Sequence, residues 1–361
     1  MTEARVTEAR AADANLAAAL AHWAPRMVAN GVDYNDVLAT VARVPRWRDW
    51  CAEWMRTAAR HAALAAAAEA RGAKLSAAEA WTRAALCRHF GKFVWFEDRD
   101  EYRAAHAATV ADYARAAALN GAELVAIPYG GTTLAGYLRR PPGAARAPVA
   151  WLICGLDSVK EEFAFFEEIF HARGMATLCI DGPGQGEGEV LPIEPAYENV
   201  AGAVCDWLAA RADVDGARVG AVGISLGGYY AARAAAFEPR LCAAASVGGP
   251  YDFGAVFDAA PLLTREALRI RCHASDLDQA RARAGALTLA GAAGRIERPF
   301  CIVFGARDRL IPPAQAELLF AEIRSPDKRL EMFPDGNHVC NNIAYAWRPL
   351  LADWLAARLA A

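Results

Sequence analysis

No C-x-x-C pair occurs among the nine cysteines, which stand at 51, 87, 154, 179, 205, 242, 272, 301 and 340. Their odd number and scattered spacing exclude a disulfide framework and a zinc site, and they read as small buried hydrophobes of a reducing compartment. There is no long lysine- and arginine-rich run, and the formal net charge is only −3. Nucleic acid is therefore not expected as a partner. No stretch is long and apolar enough to span a bilayer, so no membrane partner is expected. The first ten residues, MTEARVTEAR, mix Glu with Arg and lack a basic block ahead of an apolar one, which argues against a signal peptide. A cytoplasmic enzyme is the default expectation. The Gly-rich stretch Asp181-Gly182-Pro183-Gly184-Gln185-Gly186-Glu187 lacks the Gly-Lys-Ser/Thr of a phosphate loop and reads as a structural turn. No His, Cys and Asp cluster has metal-ligand spacing, so neither metal nor cofactor is expected.

What is present falls into two grammars. Residues 1–121 read as entirely helical, rich in Ala, Arg, Glu and Leu, and hold six of the ten tryptophans. Helices are expected over 11–29, 34–43, from Pro45 toward Arg71, from a capping box at Ser76-Ala77-Ala78-Glu79 through Phe90, and over 100–118. Trp47, Trp50 and Trp54 share one face. The cluster Phe93, Trp95 and Phe96 reads as core or as the wall of a substrate pocket. A domain of this kind also suits a lid and a homodimer contact.

Residues 122–361 read differently. Two alternating runs flank Gly130-Gly131, as in a hairpin. Strands are then expected at 148–154, 175–180, 217–222, 241–247, 299–304 and 328–333. Helices between them are expected at 160–172, 197–211, 226–237, 313–323 and 342–359. An irregular, partly helical insertion covers 251–293. This alternation predicts an α/β domain with a doubly wound, mostly parallel sheet.

The chemistry centres on Gly223-Ile224-Ser225-Leu226-Gly227. An apolar strand precedes it and a helical run follows, so Ser225 is expected on a tight strand-to-helix turn as a nucleophile. Glycine on either side removes the clashes such a turn creates. A serine nucleophile needs a base, and the base an orienting acid. Asp308 follows the strand 299–304, and His338 follows the next strand, which gives the chain order Ser, Asp, His. Asp335 is a rival acid, but it lies three residues from His338 on the same turn. The Leu226 N–H, at a helix N-terminus, and the Leu156 N–H, after the turn-permitting Gly155, are the candidate oxyanion donors. Tyr251 and Asp252 are candidate pocket residues beyond the strand 241–247.

Together these motifs resemble the α/β-hydrolase superfamily. Within it, Gly155–Glu162, Asp181–Glu187, Gly223–Gly228, Glu238–Leu241, Asp335–His338 and Phe93–Asp98 are similar to the group that contains 2,6-dihydroxypseudooxynicotine hydrolase. FrsA-like proteins and fungal polyketide-shortening hydrolases share parts of the pattern. The resemblance implies a serine hydrolase with a helical cap domain. It would cleave a C–C bond next to a ketone in a small aromatic or polyketide-like substrate, through an acyl-enzyme. A pyridine-ring hydrolase of that group carries an extra glutamate in the stretch that is 248–260 here. This stretch has no Glu, only Asp252 and Asp258, each read as a helix cap or surface acid. An esterase or thioesterase acting on a small acyl ester, a serine peptidase and a catalytically idle binding protein stay open beside the C–C reading.

Overall fold

The computed structural model describes residues 14–144 and 146–360. The first three residues of the helix expected over 11–29 lie outside them. The described residues form two compact units, one through Glu123 and one from Leu124.

The first unit is helical: α1 (Ala14–Ala29), α2 (Tyr34–Val41), α3 (Trp50–Ala70), α4 (Lys74–Lys92) and α5 (Arg99–Asn120). Asp33 caps α2 by accepting from the Asn35 N–H, and Asp98 caps α5 by accepting from Asp100 and Glu101. One expectation fails here. The capping box at 76–79 does not open α4, which begins at Lys74 after an Ala73 that makes no side-chain cap. Gly72 closes α3 in the left-handed conformation, and the Ala73 N–H returns to the Ala68 carbonyl. Three residues therefore connect the two helices, and Ser76 and Glu79 are exposed positions inside the first turns. Trp47, Trp50 and Trp54 are buried and in mutual contact.

The second unit carries an eight-stranded sheet in the order β1-β2-β4-β3-β5-β6-β7-β8. The strands are β1 (Glu123–Tyr129), β2 (Thr132–Arg139), β3 (Ala147–Ile153), β4 (Ala176–Ile180), β5 (Val214–Ile224), β6 (Leu241–Val247), β7 (Phe300–Gly305) and β8 (Lys328–Phe333). β2 runs antiparallel to β4, and every pairing from β4 to β8 is parallel. Gly130 and Gly131 both have positive φ, which is the backbone a two-residue hairpin turn requires. The helices are α6 (Ala164–His171), α7 (Glu198–Ala209), α8 (Leu226–Phe237), α9 (Leu262–Arg271), α10 (Leu277–Ala284), α11 (Ala314–Glu322) and α12 (Ala344–Leu359). The segment 251–293 is held by α9, α10 and a short bridge between Asp252 and Thr288.

Two expected helices start later than their sequence suggested. Residues 160–163 form one 3₁₀ turn before α6, and α12 starts at Ala344 because Val339 and Cys340 are both left-handed. β3 is the switch point of the sheet. The chain leaves it first for β4 on one side and then for β5 on the other, which opens a crevice at the carboxyl ends of β3 and β5. Among the described residues no helix is long and apolar enough to cross a membrane.

A buried polar group joins α6 to the sheet. Arg139 donates to Glu167 at 2.9 Å, and His171 Nε2 bonds the Thr177 hydroxyl at 2.8 Å. Burial pushes the Glu167 carboxyl up to about 7, against the pull of Arg139. Burial, with Arg139 adding to it, pushes His171 down to about 4. The two act in opposite directions on stability. The neutral His171 favours folding, and that contribution is lost as pH falls from about 6.5 toward 4. The protonated Glu167 also favours folding, and its contribution is lost as pH rises from about 4.5 toward 7. In the wild type the two slopes offset each other. Glu167→Gln is expected to unmask an acid-side loss of roughly 2 kcal/mol between pH 7 and 4.5, discounted for the partial exposure of His171. His171→Asn is expected to unmask the opposite slope. Urea midpoints across this range test it; curves for both variants parallel to the wild type would refute the coupling.

Candidate active site

Ser225 follows β5 directly and has φ +57 and ψ −124, a combination that costs a residue with a Cβ strain. The flanking glycines show why the chain can make the turn. A Cβ on Gly223 would lie 1.8 Å from the Gly227 carbonyl oxygen, and one on Gly227 would lie 2.3 Å from that of Ile153. The start of α8 is thus pressed against the end of β3, and only bare backbone fits there. The Ser225 N–H donates to the Val247 carbonyl at 2.8 Å, and the Gly228 N–H donates to the Ser225 carbonyl at 2.7 Å.

His338 comes from the loop after β8. Its Nε2 lies 2.9 Å from Ser225 Oγ and its Nδ1 lies 2.7 Å from Asp308 Oδ2. Asp308, on the loop after β7, has a fully buried side chain. Its Oδ1 accepts from the backbone N–H groups of Leu310 and Ile311, at 2.8 and 3.0 Å. One carboxylate oxygen is therefore fixed by backbone and the other is left to the imidazole. Asp335 is exposed and ion-pairs with Arg307. The loop itself is clasped: Asn337 and Asn342 bond each other through side chain and backbone, and the Asn342 amide donates to the Asp335 carbonyl. Left-handed Val339 lies against Gly248, where a Cβ would come within 3.1 Å of its nitrogen.

Leu226 is the first residue of α8, whose leading N–H groups have no intrahelical acceptor. Gly155 touches the serine: a Cβ there would lie 3.2 Å from Ser225 Cβ. Leu156 follows it and is buried.

The other expected residues lie elsewhere in their roles. Phe93 and Trp95 are buried, Phe93 edge-on to Trp23 and Phe90, and the Trp95 ring N–H donates to the Trp47 carbonyl. Phe96 packs on Tyr102. These are contacts within the helical unit, with Phe93 and Trp95 in its core and Phe96 half-buried. The Tyr251 hydroxyl donates to Glu322 at 2.6 Å. Asp252 accepts from the Ala255 N–H as a turn cap, and exposed Asp258 pairs with Arg281.

Sequence spacing missed a buried ionic cluster beside this site. Lys160 Nζ lies 2.7 Å from Glu161, 2.9 Å from Asp181 and 2.6 Å from Glu187. The three carboxylates are close enough together to hold a metal ion, but the lysine ammonium already stands among them. Burial pulls its pKa down, yet the three acids outweigh that and hold it well above the ordinary lysine value. Burial raises Glu161 against the pull of Lys160. Asp181 Oδ1 and Oδ2 also accept from the backbone N–H groups of Lys160 and Glu187, which pins the Gly-rich turn. The eight cysteines other than Cys242 are buried, and all nine are free thiols.

Comparison with known proteins bears on this arrangement. The profile of the family described as "Esterase FrsA-like" matches residues 26–285. The 2,6-dihydropseudooxynicotine hydrolase of Paenarthrobacter nicotinovorans is 34% identical over 334 residues, covering 91% of this chain and 90% of that protein. A crystal structure of the 2,6-dihydroxy-pseudo-oxynicotine hydrolase superposes with a TM-score of 0.86 at 32% identity, covering 93% of this chain and 95% of that one. The α/β hydrolase gkaG of Penicillium citrinum is 30% identical over 236 residues, 60% of this chain and 55% of that protein.

Proposed function

The chain belongs to the FrsA-like esterase family of α/β-hydrolases, and from that premise we propose a serine hydrolase that cleaves a C–C bond next to a ketone in a small aromatic or polyketide-like substrate. The observation that carries the serine reading is the continuous hydrogen-bonded series from Ser225 Oγ through His338 to Asp308. In this scheme Ser225 Oγ bonds to the carbonyl carbon while its proton passes to His338 Nε2. The carbonyl π pair becomes an oxyanion held by the Leu226 and Leu156 N–H groups. Collapse of that intermediate breaks the adjacent C–C bond. The departing carbon keeps the electron pair and takes the proton from His338, so the leaving fragment must delocalise charge into a ring or an enol. Water, deprotonated by His338, then releases the acid from Ser225.

An ester-cleaving role is the second reading, and one observation favours it. The segment after β6 offers no free carboxylate to assist a carbon leaving group, because Asp252 caps a turn and Asp258 is paired with Arg281. An ester oxygen leaves without such help.

Intact-mass measurement after treatment with a fluorophosphonate tests the serine, and a panel of aryl β-diketones against aryl esters tests the bond. A single adduct on the wild type and none on Ser225→Ala is expected, with β-diketones cleaved. Folded wild type that takes no label would remove the serine reading. Turnover of esters alone would leave the second one.

A further inference from the structure

The Gly-rich turn after β4 has a side chain aimed at the strand that ends beside Ser225. Gln185 is 1% exposed, and its Nε2 lies 2.7 Å from both the Cys154 and the Gly155 carbonyl oxygens. A carboxamide nitrogen has two hydrogens, so one group serves both acceptors. In a continuing strand, successive carbonyls point to opposite sides. Here two in a row converge on one nitrogen, so the strand geometry of β3 is broken at Gly155.

We propose that Gln185 is a positioning residue that forms the second oxyanion donor by turning the Cys154–Gly155–Leu156 peptides over. Among the described residues there are no cis peptide bonds. In a trans peptide the C=O and N–H point in opposite directions. Holding both carbonyls on the Gln185 side therefore sends the Gly155 and Leu156 N–H groups together to the other side. Two adjacent N–H groups aimed one way form an anion-binding concavity. A Cβ on Gly155 would lie 3.2 Å from Ser225 Cβ, so this loop runs beside the serine. Gln185 is itself fixed: its Oε1 accepts from the Gly182 N–H at 3.0 Å and its own N–H donates to the Gly182 carbonyl. Gly186, at φ +46, lies over Asp181 where any Cβ would meet a carboxylate oxygen at 2.1 Å. The Lys160–Asp181 cluster thus anchors the turn, and Gln185 carries its rigidity to the oxyanion loop.

This inference rests on the serine-hydrolase reading. Its test uses the full chain, 4-nitrophenyl acetate as probe ester, and two inhibitors of one carbon skeleton, an aryl trifluoromethyl ketone and the methyl ketone. The fluorinated ketone adds Ser225 Oγ to its carbonyl carbon, sends the π pair to oxygen as an oxyanion and gives the serine proton to His338. The methyl ketone binds without that step. Gln185→Leu and Gln185→Glu are expected to lower kcat about 100-fold, with KM nearly unchanged. Affinity for the fluorinated ketone should fall in proportion, while affinity for the methyl ketone holds. Equal loss for both ketones, unchanged kcat, or failure of both variants to melt as folded proteins would overturn the assignment. An inactive wild type, or Ser225→Ala with wild-type activity, would instead remove the serine reading on which it rests.

Discussion

Asp308→Asn is expected to lower kcat about 10⁴-fold while KM and thermal stability stay close to wild type. The carboxylate has two separate duties. Its Oδ1 accepts from the Leu310 and Ile311 N–H groups, and an asparagine carbonyl can do the same. Its Oδ2 faces His338 Nδ1 at 2.7 Å and holds the proton on that nitrogen. The asparagine NH₂ would stand in that place as a donor. Nδ1 must then accept, the ring proton moves to Nε2, and Nε2 can no longer take the proton from Ser225 Oγ. The fold is unchanged because the loop keeps both backbone bonds. A tenfold change is about 1.4 kcal/mol, so the expected loss is about 5.5 kcal/mol of barrier, far above the effect of any packing change at this exposure. Steady-state kinetics with a melting curve decide it. A loss under tenfold would show that Asp308 does not orient the imidazole.

Lys160→Met is the second large effect, and it falls on stability. The lysine ion-pairs with Glu161, Asp181 and Glu187, and its side chain and those of Glu161 and Asp181 are fully buried. Removing one partner of a buried ionic cluster leaves uncompensated charge and costs about 3–5 kcal/mol. For a unit of this size that corresponds to a fall in Tm on the order of 10 °C. Two carboxylates need not ionise together, so Glu161→Gln added to Lys160→Met should recover part of the loss. Calorimetry of the single and double variants checks both statements. Equal melting of Lys160→Met and wild type would mean that the cluster contributes nothing net.

How much of this was legible in the sequence follows from how far each signal reaches along the chain. Strands β3 to β8 and the serine turn are written in local periodicity and in two glycines, and the resemblance to α/β-hydrolases rests on those motifs. The expectation that loops after β7 and β8 carry Asp308 and His338 used the parallel alternation and the chain order Ser, Asp, His, and the structure brings His338 within hydrogen-bonding distance of both Asp308 and Ser225. Gln185 and Lys160 were not legible. Gln185 acts on carbonyls 30 and 31 residues away, and Lys160 meets Asp181 from 21 residues away, across pairings that only the folded sheet creates. The capping box at 76–79 misled because the left-handed Gly72 lets the helix open at Lys74, three residues before the Ala77 that the side-chain pattern implied. The left-handed pair Val339–Cys340 had no signal, since neither residue type favours that backbone. The aromatics at 93–96 were ambiguous in kind: the same residues suit a core and a pocket, and only their partners separate the two.

The backbone at Ser225 carries one more implication, for how such an enzyme changes over generations. At φ +57 and ψ −124 glycine is at ease and serine is not, a difference of order 1–3 kcal/mol. Drift under selection for folding alone would therefore favour glycine at 225 over the serine proposed as nucleophile. Under the proposed nucleophile role, only selection for turnover keeps serine there, and the strain is a standing tax on thermostability that laboratory evolution for heat resistance would be drawn to remove.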